Sequence, residues 1–325
     1  MKQIINQSNK KAAFTPLEKK PYPLDVVKKR GDGLKSHPSF LTGFTIVELL
    51  TVMSIIVILI SLLVPALNMV RKYAWEVKQK AQFHSIDAAI ELFNTEFSGY
   101  PDSSERGTEP SGQPYCGAMK LCEAIMGRDL MGFHPDSTFR SDGTDGFKPL
   151  YPDANDVTPE GYRDNLSIRK GPYLPLESAN AYQLEDIYPN VAGAFNPRNF
   201  VLCDVYRTVT HRGTGKKIGM PILYYKANTA NSVHDIANPN NPNNIYNYRD
   251  NQLLIALGIP SNPPPNGPKH RLFDAIRFYK NTRNDKVTSA TRPYRADSYI
   301  LISAGYDGEY GTPDDVCNFD WKYQE

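Results

Sequence analysis

Residues 49–70 read LLTVMSIIVILISLLVPALNMV, 22 positions without a charge. As a helix the run reaches about 33 Å, enough to cross a hydrocarbon core of about 30 Å. It is the single run of this kind, so the pattern predicts at most one span. Downstream, Phe83, Ile86, Ile90, Phe93 and Phe97 recur at steps of three and four. That spacing predicts an amphipathic helix with one apolar stripe, ended by Gly99 and Pro101. The stripe reads as core against the protein's own sheet. From residue 101 to 198 the chain turns irregular, dense in Pro, Gly, Asp and Ser. Residues 119–126 predict a short helix. Residues 200–206 and 219–227 predict strands around a hairpin turn at 212–216. Residues 272–279 fit a short helix or strand, and 298–304 a final strand. Residues 238–247 and 261–268 are low-complexity loops.

A secretory signal peptide would have a shorter apolar stretch, about 7–15 residues, followed by a small-residue cleavage site. Here the run ends in Asn-Met-Val-Arg-Lys-Tyr. Lys28, Lys29, Arg30 and Lys35 upstream are matched by Arg71, Lys72, Lys78 and Lys80 downstream, so the local count of cations is a tie. The more distant upstream charges lean towards an N-terminus inside.

Charge sharpens this picture. The whole chain of 325 residues is nearly neutral at +2, but residues 1–43 hold nine Lys/Arg against three acids, net +6. The rest is about −4. A basic head on a mildly acidic body argues against a nucleic-acid-binding protein. Twenty Tyr and 14 Phe are too many for a disordered chain.

The edge of the apolar run is Gly43-Phe44-Thr45-Ile46-Val47-Glu48-Leu49-Leu50. A lone Glu beside an apolar helix needs a partner if it is buried in the membrane, or sits solvated near the headgroups. Position alone leaves both open.

Gly-Phe-Thr-x-x-Glu-Leu before an apolar helix resembles the class III signal of type IV prepilins and type II secretion pseudopilins. The resemblance implies that a prepilin peptidase cuts between Gly43 and Phe44 and that Phe44 is then N-methylated. Glu48 falls fifth in the mature chain. Pro65 falls twenty-second, where a kink near residues 61–65 is expected. A leader of 43 residues is long for this family. In a filament, Glu48 would pair with the Phe44 amine of a neighbouring subunit. Two buried charges are tolerable when paired, and the pairing would fix the subunit stagger.

The fold so implied is α+β and pilin-like: a long N-terminal transmembrane helix on a small antiparallel β-sheet, with long loop insertions. Its parts are a basic leader (1–43), a helix (44–98; 44–70 transmembrane, 71–98 amphipathic) and an extracytoplasmic globular domain (99–325). The implied role is structural and not enzymatic: a subunit of the short periplasmic filament of a type II protein secretion system. Implied partners are other pseudopilins, the prepilin peptidase, the secretion system's inner-membrane platform and membrane lipid. The chain would be single-pass in the inner membrane with its C-terminal domain periplasmic. A type IV pilin or minor pilin in adhesion, motility or DNA uptake is the alternative. A membrane-anchored binding domain that never assembles is the third reading.

In the body, Asp204, Tyr206, Gly219, Pro221 and Tyr224 resemble the Asp-x-Tyr/Trp … Gly-x-Pro-x-x-Tyr hairpin of the major pseudopilin. After the final strand, residues 305–316 hold Asp307, Asp314 and Asp315 around Gly308 and Gly311. Chemically this is either a solvated acidic turn or a site for a hard cation such as Ca²⁺, which wants six to eight oxygens. The spacing does not fit an EF-hand. The pattern resembles the C-terminal loop in which the major pseudopilin binds one calcium, which implies Asp307, Asp314 and Asp315 as ligands. Residues 141–146, superficially similar, read as a turn. Cys116 and Cys122 are close enough in sequence to pair, leaving Cys203 and Cys317; four free buried thiols are equally consistent. Each His reads as a surface residue.

Overall fold

The structure, a computed structural model, describes residues 43–105, 113–189 and 191–324. Of the leader expected at 1–43, all but Gly43 lies outside the described residues. The chain divides into two compact units, Met1–Ile58 and Leu59–Glu325, and the division falls inside one helix, α1 (Ile46–Phe97).

In the first unit α1 starts after an irregular Gly43, Phe44 and Thr45. Phe44 is 82% exposed, and Ile46, Val47 and Leu50 are exposed with it. The most apolar 18-residue window of α1 has a mean hydropathy of 2.8 and none of it is buried. The helix is thus long and apolar enough to cross a membrane.

In the second unit α1 continues through Pro65. Its apolar stripe is buried as the spacing predicts: Phe83, Ile86, Ile90 and Phe93 are core, and Phe97 packs at its edge. Gln79 and Gln82 are also buried, which periodicity did not foresee. They clamp the helix to the segment around residue 204. Gln82 Nε2 donates to the Cys203 carbonyl at 2.9 Å, and Gln79 Oε1 accepts from the Val205 amide at 3.0 Å. The helix ends at Phe97, and the residue just past it, Ser98, takes the left-handed conformation one position before Gly99.

After α1 come α2 (Gly117–Met126), α3 (Pro159–Ile168) and α4 (Leu176–Ala179). Then follow β1 (Ala181–Gln183), α5 (Leu184–Ile187), β2 (Phe200–Leu202), β3 (Val209–Thr210), β4 (Lys217–Ile218) and β5 (Leu223–Lys226). The chain closes with α6 (Gln252–Ala256), α7 (Ala275–Thr282), β6 (Tyr299–Ser303) and β7 (Val316–Cys317). The predicted helix at 119–126 is α2, and the strand expected at 298–304 is β6, which is not the final one because the short β7 follows it. The segment read as short helix or strand at 272–279 forms a 3₁₀ turn (Arg271–Phe273) and then α7.

The central sheet is antiparallel in the order β5-β6-β7, with Leu223 opposite Ile302 and Ile302 opposite Cys317. All five residues of β6 are buried. Strand alternation explains this. Ile222, Tyr224, Tyr299, Leu301 and Val316 join the α1 stripe in one core. Leu223, Tyr225, Ile300, Ile302 and Cys317 face a second core. That second core is closed by Ile245, Tyr246, Leu254, Leu272 and Phe278. The insertion beginning at residue 228 is thus the cover of the sheet's second face.

The strands flanking 212–216 do not form the single hairpin expected. The turn instead closes the short β3–β4 pair, and β2 pairs with β1. Towards β5, β2 is continued by one bridge, Cys203 to Pro221. Pro221 has no N–H to extend a ladder.

Helix α2 is buried along all ten residues, including two charged ones. Lys120 pairs with Asp102 at 2.5 Å. Glu123 accepts the hydroxyls of Tyr115, Ser137 and Tyr151 at 2.5, 2.6 and 3.0 Å.

Candidate functional site

At the start of α1, Thr45 and Glu48 close a capping box. The Glu48 carboxylate accepts from the Thr45 amide at 2.9 Å and from its hydroxyl at 2.8 Å. The Glu48 amide donates back to Thr45 Oγ1 at 3.2 Å. Ser/Thr-x-x-Glu at a helix start satisfies amides that have no intrahelical partner. Sequence reading gave Glu48 a partner on another subunit; within one chain it has a local one, and Thr45-x-x-Glu48 was the signal for it. Phe44 lies beside this box with its ring exposed. From Phe44 to Val70, Glu48 is the only charged side chain.

The second constellation is built on Asp204. Its backbone amide donates to the Met220 carbonyl at 2.8 Å. Its carboxyl accepts from the Tyr206 amide at 3.2 Å, the Met220 amide at 3.1 Å and the Ser303 hydroxyl at 2.9 Å. A Cβ on Gly219 would overlap the Asp204 backbone. Pro221 offers its carbonyl to the Tyr310 hydroxyl, and Tyr224 donates its hydroxyl to the Pro101 carbonyl at 2.8 Å. The five residues singled out in the sequence thus form a bracket joining the end of β2, the start of β5, the end of β6 and the acidic loop. Burial pushes the Asp204 carboxyl up to about 7.

The acidic loop follows β6. Gly305 and Gly311 adopt φ of 66° and 90°. At Gly305 a side chain would also strike the backbone of Asp314. The Asp314 carboxylate accepts from the Asp307 amide at 2.9 Å and the Thr312 hydroxyl at 2.8 Å. Asp307 caps the Glu309 amide at 2.8 Å. Partial burial, with Asp314 close by, raises the Asp307 carboxyl to about 6. Asp315 is buried and faces the loop's own backbone, accepting from the Gly311 amide at 2.7 Å and the Thr312 amide at 3.2 Å. Burial pushes its carboxyl well above the usual range. The loop therefore brings Asp307 and Asp314 together, while Asp315 organises the turn. Among the described residues no group of three or more His, Cys, Asp or Glu converges on one point. At residues 141–146, the Asp142 carboxylate caps the Thr144 amide at 2.9 Å, the turn that was read there.

All four cysteines are free and buried. Cys116 precedes α2 and lies in one core, whereas Cys122 points into the other, so their nearness in sequence does not bring them together. Burial pushes the Cys116 thiol up to about 12. The histidines depart from the surface reading. His134, His234 and His270 are buried. His234 Nε2 contacts the Tyr279 carbonyl at 2.7 Å, and the Tyr310 amide donates to His270 Nδ1 at 3.2 Å. Burial lowers both His234 and His270 to about 4, so they are neutral braces. His84 is exposed on α1, and His37 lies outside the described residues. No protein-family model matches the chain, and no curated protein or solved structure is significantly similar to it.

Proposed function

We propose that this chain is a pilin-like structural subunit, of the pseudopilin type, that assembles through its N-terminal helix into a short filament of a type II protein secretion system. The observation that carries this reading is Glu48, the single charge in an exposed apolar segment, set four residues after Phe44. Isolated, it rests on Thr45. In an assembly the new amine of a neighbour's Phe44 would replace part of that box, trading a neutral contact for an ion pair shielded from water. The same reading makes residues 44–70 the membrane anchor and places the globular domain outside the cytoplasm.

Calcium belongs to this proposal. Two neighbouring carboxylates, one of them raised by burial, are the chemistry that a divalent cation relieves. Asp307 and Asp314 would hold it. Asp315 would first have to give up amide bonds, so it serves as frame unless the loop rearranges. A bound cation would neutralise the pair and stiffen residues 305–316.

The test is Glu48→Ala in cells that process the chain. Cleavage should persist while cross-linked multimers vanish. Normal multimers from that variant would refute the pairing role.

A further inference from the structure

The cations that follow the apolar run have no role in the reading above. Arg71, Lys72, Lys78 and Lys80 stand on the side proposed to face outward, where the positive-inside tendency gives no reason for them. Lys80 is accounted for by Glu76 at 2.6 Å. Lys78 is not. It meets Arg207 over the same ring: Lys78 Nζ lies 5.3 Å and the Arg207 guanidinium 5.4 Å from the centre of Trp75. Arg207 holds a φ of 57°, a left-handed conformation unfavourable for a non-glycine residue. The tip of the β3–β4 pair adds Lys216 and Lys217, and these two with Lys78 and Arg207 line one cleft of about 60 Å³. That is room for one phosphate group and its first waters. None of the four cations forms an ion pair with a described acid, and all four are exposed. Asp204 lies at the floor, but its carboxyl is committed to Ser303 and to two backbone amides.

We propose that Lys78, Arg207, Lys216 and Lys217, set around Trp75, form a collar that docks on the anionic phospholipid headgroups of the membrane crossed by α1. The proposal rests on reading residues 44–70 as membrane-spanning. Geometry selects lipid as the source of phosphate. Lys78 lies eight residues past Val70, about 12 Å along the helix. The headgroup zone adds about 5–8 Å beyond the hydrocarbon core on each side. Helical side chains lean towards the N-terminus and a lysine stem reaches back further, so the ammonium falls at headgroup depth. Trp beside cations is the composition of a membrane interface. Docking there would set the tilt and rotation of the globular domain above the bilayer before any assembly step.

The test uses the full chain with Trp321→Phe, which leaves Trp75 as the sole tryptophan, in nanodiscs containing a headgroup-spin-labelled lipid. Trp75 quenching should be at least about threefold stronger when phosphatidylglycerol is present than in phosphatidylcholine alone. Molar salt, which cuts the screening length to about 3 Å, should abolish the difference. So should the variant K78Q/R207Q/K216Q/K217Q. Equal quenching on both lipids, or an unchanged quadruple variant, overturns the collar. Displacement of the label by millimolar inorganic phosphate overturns lipid as the source. Carbonate extraction of the same preparation keeps the two ideas apart. Release of the protein overturns the membrane reading, whereas retention without lipid dependence overturns the collar alone.

Discussion

Asp204 accepts the hydroxyl of Ser303 at 2.9 Å in a buried site where its other partners are two backbone amides. Burial raises its carboxyl to about 7, against about 3.9 in an unfolded chain. Between these values the folded state holds a proton that the unfolded state has released, so the contribution of this group to stability falls as pH rises from about 4 to about 7. Asp250, also raised to about 7 by burial, acts in the same direction. His234 and His270, lowered to about 4 by burial, act in the opposite direction below about 6.5. The Asp204 contribution is therefore read by difference: Asp204→Asn, which cannot ionise, should gain in melting temperature relative to the parent as pH rises from about 4 to about 7. A difference between parent and variant that stays constant over this range contradicts this.

Gly219 stands where any side chain would overlap the Asp204 backbone. Backbone cannot move aside as a flexible side chain does, so Gly219→Ala should cost about 3 kcal/mol or more. Urea unfolding measures it. A loss below about 1 kcal/mol would mean that the bracket is loose.

These residues show how far the sequence could be read. The α1 stripe and β6 were legible because a buried face imposes its period on side chains. The Asp204, Gly219 and Pro221 positions were legible as a motif, but the hairpin drawn from them was not the one formed. Pro221 interrupts the ladder and the Asp204 carboxyl takes the amide hydrogens instead. Buried Gln79, Gln82, Lys120 and Glu123 were illegible, because polar residues enter a core only where a distant partner satisfies them. Asp307, Asp314 and Asp315 looked equivalent along the chain. Only the turn distinguishes the facing pair from the inward residue.

At the acidic loop, Ca²⁺ should raise the melting temperature and protect the bonds within 305–316 from proteolysis. Asp314→Ala should remove both effects. Because the Asp307 carboxyl is raised to about 6, protons should compete, and calcium affinity should weaken as pH falls through 6. Calorimetric titration on either side of that pH measures it. A loop equally resistant to protease with and without calcium would end the cation proposal.

The four thiols should be silent in the native protein and all reactive after denaturation, since each is buried and burial pushes each upward. Counting thiols with a chromogenic disulfide before and after guanidinium checks this. Reductant should leave the melting temperature unchanged. Two or fewer thiols in the denatured chain would mean that disulfides form.

Thr45 should matter less than Glu48. Thr45→Ala removes a side-chain cap, a change of about 1 kcal/mol at a helix start, and leaves the carboxylate free for a neighbour's amine. Multimers should therefore survive Thr45→Ala and be lost in Glu48→Ala, as read by cross-linking in membranes. Equal loss in both would make Glu48 a capping residue and nothing more.

The central claim is that Phe44 becomes an N-terminus whose amine meets Glu48. The direct measurement is the mass of the mature N-terminal peptide from membranes of cells that express the full chain with a prepilin peptidase. The account predicts a chain that begins at Phe44 and carries one N-methyl group. A chain that retains residues 1–43, or one cut beyond Val70, would contradict it.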